Sequence, residues 1–224
     1  MQMTTNAVAA KVQESFSLED ASWDTLPWQD FPSNLMQNYM GHKPVHFPRA
    51  EVKVAYDSMS IYLLFRVEDR YVRSVAVSHQ EDVYKDSCVE FFFTPGPDVS
   101  KGYFNIEMNC GGTMLFHFQK APAKERIILP LSDCNKIAVI PSLPKRIEPE
   151  RGNPVVWTVA YRVPIVVLEK YCEVAKPAPP SFWRVNFYKC ADNSSHPHWL
   201  TWSPVDLPNP NFHHPSSFGF LYFN

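Results

Sequence analysis

Residues 51–56 (EVKVAY) place Val52, Val54 and Tyr56 on one face, and residues 61–67 (IYLLFRV) do the same with Ile61, Leu63, Phe65 and Val67. A period of two marks strands, whose side chains point alternately to opposite faces. The four residues between them, 57–60, suit a tight turn, so the pair is a predicted β-hairpin. Residues 87–93 (SCVEFFF) set Val89, Phe91 and Phe93 against Cys88, Glu90 and Phe92. Residues 103–109 (YFNIEMN) alternate most clearly, with apolar Phe104, Ile106 and Met108 opposed to Tyr103, Asn105, Glu107 and Asn109. Gly111 and Gly112 turn the chain into a further strand at 113–118. Residues 155–163 (VVWTVAYRV) form a strong strand with Trp157 inward. Residues 164–171 (PIVVLEKY) open with proline, which suits the first turn of a short helix. Residues 182–190 (FWRVNFYKC) have two contrasting faces, Trp183, Val185 and Phe187 against Arg184, Asn186 and Tyr188. Residues 199–202 and 218–223 (FGFLYF) complete the predicted strands.

The intervening segments lack this periodicity. Residues 1–50 scatter Trp23, Trp28, Phe31, Tyr39 and Phe47 among prolines, the pattern of an irregular wrap anchored by aromatics. Residues 69–86 are polar and charged, a strand edge followed by a loop, and residues 119–153 are proline-rich with a weak strand at 136–140. Many short strands, proline-rich turns and almost no helix predict an all-β chain. The expected fold is one antiparallel β-sandwich domain over residues 1–224 with one short helix.

Composition narrows this picture. The chain has 21 prolines and only 7 glycines. Proline is excluded from helix interiors and central strands, so the loops must be long and stiff. Charged residues are 20% and the net charge is -2, which leaves no basic footprint for nucleic acid. No apolar run approaches the roughly 20 residues needed to span a bilayer, so no membrane partner is expected. Five cysteines without a CxxC spacing disfavour a disulfide framework or a zinc knuckle. The N-terminal stretch has no apolar run behind a basic start. The expected location is cytoplasmic if that start is native, and secreted or periplasmic if a signal was removed.

Three strands carry polar residues within apolar sequence: Glu90, then Asn105 with Glu107, then Arg184, Asn186 and Tyr188. If these strands are neighbours, one polar sheet face results. Amides, carboxyls and a guanidinium offer paired donors and acceptors that match the hydroxyls of a sugar. Trp28, Trp199 and Trp202 could supply flat apolar rings for stacking. The ordinary alternative is a solvated face with cross-strand Arg–Glu pairs. Two other functions remain in view. Glu90 and Glu107 could act as paired carboxyls in a glycoside hydrolase or lyase. Alternatively, the chain is an interaction or structural protein whose polar face is covered. The His196/His198 and His213/His214 groups fit no metal-ligand spacing.

The order VKVAYD, IYLLFRVED, DSCVEFFFTP, YFNIEMN with GG, VVWTVAYRVPI, FWRVNFYKC, LTWSP and a closing FGFLYF resembles carbohydrate-binding module family 9. The resemblance is nearer still to its stand-alone, DOMON-related sandwich proteins. It runs from about Ala50 to the C-terminus, with a matching opening near Trp23. It implies a β-sandwich that binds a mono- or oligosaccharide without catalysis and without a required cofactor, often with structural calcium. It implies ligand contacts at Glu90, Asn105, Glu107, Arg184, Asn186 and Trp202, with Tyr188 beside them and Asp86 as a metal candidate. The family's site is an aromatic clamp, for which Trp202 is one wall and Trp28 or Trp199 the other. Two features depart from the family: the chain is expected to carry no catalytic domain, and Ala160 stands where many relatives are acidic.

Overall fold

The computed structural model describes residues 5–14, 16–19, 21–122 and 124–224. The first strands are β1 (Asn6–Lys11), β2 (Ser33–Leu35), β3 (Asn38–Tyr39), β4 (Arg49–Tyr56), β5 (Ser60–Asp69) and β6 (Val72–Ser74). Then come β7 (Cys88–Thr94), β8 (Tyr103–Asn109), β9 (Met114–Ala121) and β10 (Lys124–Ile128). After α1 (Leu131–Cys134) the chain forms β11 (Ala138–Pro141), β12 (Ile147–Arg151) and β13 (Val155–Pro164). Last are α2 (Ile165–Leu168), β14 (Phe182–Cys190), β15 (Trp199–Thr201) and β16 (Gly219–Phe223).

The strands make two layers. One runs β10-β9-β8-β7-β14-β16 and the other β4-β5-β13-β11, and β1 joins them. The expected hairpin is β4/β5, which pairs Val52 with Phe65 and Val54 with Leu63. The alternation read from sequence sets which face is buried. Phe91, Phe93, Trp183, Val185 and Phe187 of the first layer meet Val52, Val54, Phe65, Trp157 and Tyr161 of the second in one core cluster. Phe93 stacks on Trp183 at 5.4 Å, and Phe91 on Phe187 at 5.4 Å. Phe65 then reaches edge-on to Phe187 across the sheets, at 6.4 Å. Such ring pairs add about 0.5–1.5 kcal/mol each beyond their burial.

The N-terminal region corrects the expectation of an irregular wrap. Strand β1 pairs parallel with β16 through Ala7–Leu221 and Ala9–Phe223, then parallel with β4 through Ala10–Ala55. Ala7 and Ala9 are buried at this seam. Their small size lets the strand lie at the crease between the layers, and it also leaves too weak an apolar pattern to be seen in sequence. Some of the remaining N-terminal aromatics do cover a sheet, whereas Tyr39 and Phe47 are exposed. Trp28 packs with Phe16, Phe31, Tyr62 and Leu64 on the outer side of the second layer. The single expected helix is also corrected. Two four-residue helices form, α1 and α2, the second within the residues expected to be helical.

At one end of the sandwich a charged group ties the layers together. Lys189 of β14 is fully buried, and its Nζ lies 3.4 Å from Asp69 Oδ2 of β5. The ammonium also donates to the Cys190 carbonyl at 3.0 Å and lies 2.8 Å from His198 Nε2. His46 Nε2 sits 2.7 Å from the other Asp69 oxygen. Burial opposes the ionisation of Asp69, but Lys189 and His46 outweigh it and hold the carboxyl well below its ordinary range. This cluster fixes the end of β14 and the start of β15, two of the elements that frame the candidate site.

Candidate functional site

The three polar strands are neighbours. β7 pairs with β14, placing Glu90 opposite Tyr188 and Phe92 opposite Asn186. β8 pairs with β7 on the other side, placing Glu107 opposite Glu90 and Asn105 opposite Phe92. The Cys110 N–H donates to the Ser87 carbonyl at 2.8 Å, which fixes the phase of the β7/β8 ladder. Glu90 and Glu107 therefore form a non-hydrogen-bonded pair, the closer of the two antiparallel pair types.

Most of this face lies under a loop. Val205, Phe212 and Phe218 of the segment before β16 pack on Phe92, Tyr103 and Tyr188. What stays open is a cleft of about 300 Å³. Its floor is Glu90 and Phe92, Glu107, and Leu115 with His117 on β9. One side carries Tyr84, Asp192 and Trp199, and the other carries residues 210–213 and Arg126. Trp199 is held by its indole N–H, which donates to Asp192 Oδ1 at 2.8 Å.

A relay of amides orients the floor. Gln119 Nε2 donates to Asn105 Oδ1 at 3.1 Å, and Asn105 Nδ2 donates to Glu107 Oε1 at 2.9 Å. Gln119 Nε2 also lies 3.1 Å from His213 Nδ1. An amide nitrogen can only donate, so His213 Nδ1 accepts and its proton sits on Nε2.

Charge is suppressed on the carboxyls of the cleft floor and on its two histidines. Burial pushes the Glu90 carboxyl well above its ordinary range, with Cys190 and Glu107 adding to the effect. Burial raises Glu107 to about 7, opposed by the Asn105 hydrogen bond. Burial, helped by Arg126, lowers His117 and His213 to about 4 each. Near neutral pH the cleft thus offers neutral imidazoles and carboxyls that tend to keep their protons. Such groups donate and accept hydrogen bonds without demanding a counter-charge, which matches an uncharged ligand with many hydroxyls.

Of the residues expected from sequence, Glu90 and Glu107 reach the cleft. Asn105 lies beneath it and positions Glu107. Tyr188 is buried, stacks on Phe212 at 4.1 Å and bonds the Phe212 carbonyl, so it supports one wall from below. The others are corrected. Asn186 is buried and bonds both the N–H and the carbonyl of Ser203, pinning the chain after β15. Arg184 bonds the Phe218 and Gly219 carbonyls and lies over the Phe220 ring at 4.6 Å, at the far end of β14. Trp202 is buried against Phe187 and Gly219, with no face open for stacking. Trp28 is buried on the other layer, which leaves the half-buried Trp199 as the one of the three candidates that lines the cleft.

Sequence reasoning missed Tyr84, His117, Arg126, Asp192, Asn211 and His213. Only His117 carried a signal. It faces Asn105 across β8/β9, so continuing the polar alternation through residues 113–118 identifies it.

The calcium implied by the family resemblance does not fit Asp86. Its Oδ2 accepts from the N–H groups of Val75 and Ala76 and from Asn109 Nδ2, and Arg73 lies 3.3 Å from Oδ1. Both oxygens are thus engaged by the protein, whereas calcium needs six to eight free oxygen ligands.

Comparison with known proteins agrees with this architecture. The sequence profile of carbohydrate-binding family 9 matches residues 22–223. No curated protein matches the chain in sequence. Among solved structures, a candidate carbohydrate-binding protein from Bacteroides uniformis ATCC 8492 superposes with a TM-score of 0.86 at 26% identity, over 99% of this chain and 100% of that one. A family 9 module from Caldicellulosiruptor kristjanssonii in complex with glucose gives 0.63 at 13% identity, over 97% and 94%. The same organism's family 9 module in complex with cellotriose gives 0.62 at 14% identity, over 97% and 92%. At these identities the two Caldicellulosiruptor structures speak for the fold alone. The profile match spans most of the sequence, and the chain belongs to carbohydrate-binding family 9.

Proposed function

We propose that the chain is a non-catalytic carbohydrate-binding protein whose ligand, a mono- or oligosaccharide, occupies the cleft over β7, β8 and β9. The observation that carries this reading is an aromatic-sided cleft with a floor of polar but largely uncharged groups. A sugar ring would lie against Trp199 and Tyr84. Glu90, Glu107 and His213 Nε2 would exchange hydrogen bonds with its hydroxyls, and Arg126 would close the rim. Affinity is expected to be modest, because each sugar–protein hydrogen bond replaces one to water. The Caldicellulosiruptor relatives direct the first trials to glucose and cellotriose. Calorimetric titration should show saturable binding of one of these or of a related glycan. Trp199→Ala should weaken it at least about tenfold, ~1.4 kcal/mol. Unchanged affinity in that variant removes the cleft from consideration.

A hydrolytic reading also has support, since Glu107 is raised to about 7, as a general acid requires. Glycoside hydrolysis needs a second carboxyl kept ionised beside the acid. Here burial raises Glu90 and Glu107 alike, and Asp192 as well. Binding without turnover is therefore the better reading. Product release from oligosaccharides or aryl glycosides that is abolished by Glu107→Gln would reverse this preference.

A further inference from the structure

At the cleft floor, Glu90 stands beside two thiols, Cys88 and Cys190, that sugar binding does not require. Cys88 and Cys190 face each other directly across β7 and β14. Glu90, two residues beyond Cys88, projects from the same face. Cys190 Sγ lies 3.0 Å from Glu90 Oε1. Among the described residues, this is the one set of three or more His, Cys, Asp or Glu side chains whose donor atoms lie within 4.8 Å of one another. All three residues are buried. Among the described residues, Glu90 Oε2 has no hydrogen-bond partner, and no Lys or Arg forms an ion pair with this carboxyl. The nearby Lys189 points to the opposite face, where it serves Asp69 and His198.

We propose that Cys88, Glu90 and Cys190 form a binding site for a divalent, thiophilic metal ion of the zinc class. Zinc is held at about 2.3 Å by thiolates and about 2.0–2.2 Å by a carboxylate, commonly in a tetrahedron. That geometry separates the donors by roughly 3.5–3.8 Å, so the present spacing needs only small side-chain adjustments. Two sulfurs select a borderline-soft ion over calcium or magnesium, which take oxygen ligands. Burial, the largest effect on each, holds Glu90, Cys88 and Cys190 in their protonated forms. A cation at their centre would let all three ionise together, with release of protons. Glu90 and Cys190 line the cleft floor, so the fourth position opens upward to water or to a ligand hydroxyl.

The test uses the full chain, reduced and stripped of metal, without sugar. Zinc is titrated against a chromophoric chelator, and cobalt(II) is added separately as a spectroscopic probe. The expected result is one zinc per chain, with cobalt giving a tetrahedral spectrum and a thiolate charge-transfer band. Cys190→Ser and the nearly isosteric Glu90→Gln should each weaken zinc binding about tenfold or more, while Cys134→Ser, at a buried cysteine elsewhere, should leave it unchanged. Absence of the thiolate band in the unmutated chain overturns the site, as does zinc affinity indifferent to Cys190→Ser in a folded variant. The readout contains no glycan, so its failure is separate from failure of the carbohydrate reading, which is measured with chelator present.

Discussion

Replacing Lys189 by methionine keeps the length of the side chain but removes the charge that joins the two sheets. Lys189 is fully buried, and Asp69, 3.4 Å away, is nearly so. Without the ammonium, the Asp69 carboxylate keeps the His46 contact, the Arg70 N–H at 2.7 Å and the long Trp157 Nε1–H bond at 3.4 Å. It loses its one buried ammonium partner. Breaking a buried pair by deleting one partner costs about 3–5 kcal/mol, because the other charge is left in the interior. For a chain of this size that corresponds to a fall in Tm of about 6–20 °C. Adding Asp69→Asn removes the stranded charge, so the double variant should be more stable than Lys189→Met alone. Urea unfolding followed by tryptophan fluorescence gives all four corners of the cycle. A loss below about 1 kcal/mol in Lys189→Met, or a double variant as unstable as the sum of its singles, would refute the claim that this pair locks the end of β14.

Three further outcomes are expected. Gly219→Ala should destabilise by about 1–3 kcal/mol, because a Cβ there would stand 2.5 Å from the Thr5 carbonyl oxygen and 2.7 Å from the Trp202 ring; faster amide exchange in β1 and β16 checks it. Arg184→Ala should leave glycan affinity within about twofold, since its guanidinium is engaged with the Phe218 and Gly219 carbonyls; calorimetry on that variant is the check. His213 titrates near 4 in the folded chain, below its unfolded value of 6.5, so its stabilising effect is complete above that value and fades as pH falls from about 6.5 toward 4. His213→Asn, which keeps an acceptor near the Nδ1 position, should therefore reduce the stability lost between about pH 7 and pH 5 by up to about 2 kcal/mol, read as the difference in urea midpoints.

The sheet was largely readable because its strands alternate. The segment YFNIEMN is β8 without adjustment, and the two faces of FWRVNFYKC divide between core and cleft side as read. Alternation identifies a face but not what covers it. Tyr188 shares a polar strand, yet the segment from Val205 to Phe218 folds over it and turns it into a support, while Asn186 is taken up by Ser203 and Trp202 turns into the main core against Phe187. That segment is a proline-rich loop without period, so neither its path nor the arrival of His213 at Tyr103 and Gln119 could be inferred. Strand β1 was missed for a related reason. Its buried positions are alanines, and its longer pairing is with β16, at the other end of the sequence.

The placement of the glycan is tested most directly by the indole N–H resonances of the six tryptophans in a proton–nitrogen NMR titration with cellotriose or glucose. Trp199 borders the cleft and its indole N–H is bonded to Asp192, whereas Trp28, Trp157, Trp183 and Trp202 are buried elsewhere. The Trp199 indole should shift in a saturable way while those four remain in place. A saturable shift at Trp202 or Trp28 with Trp199 unmoved would contradict that placement.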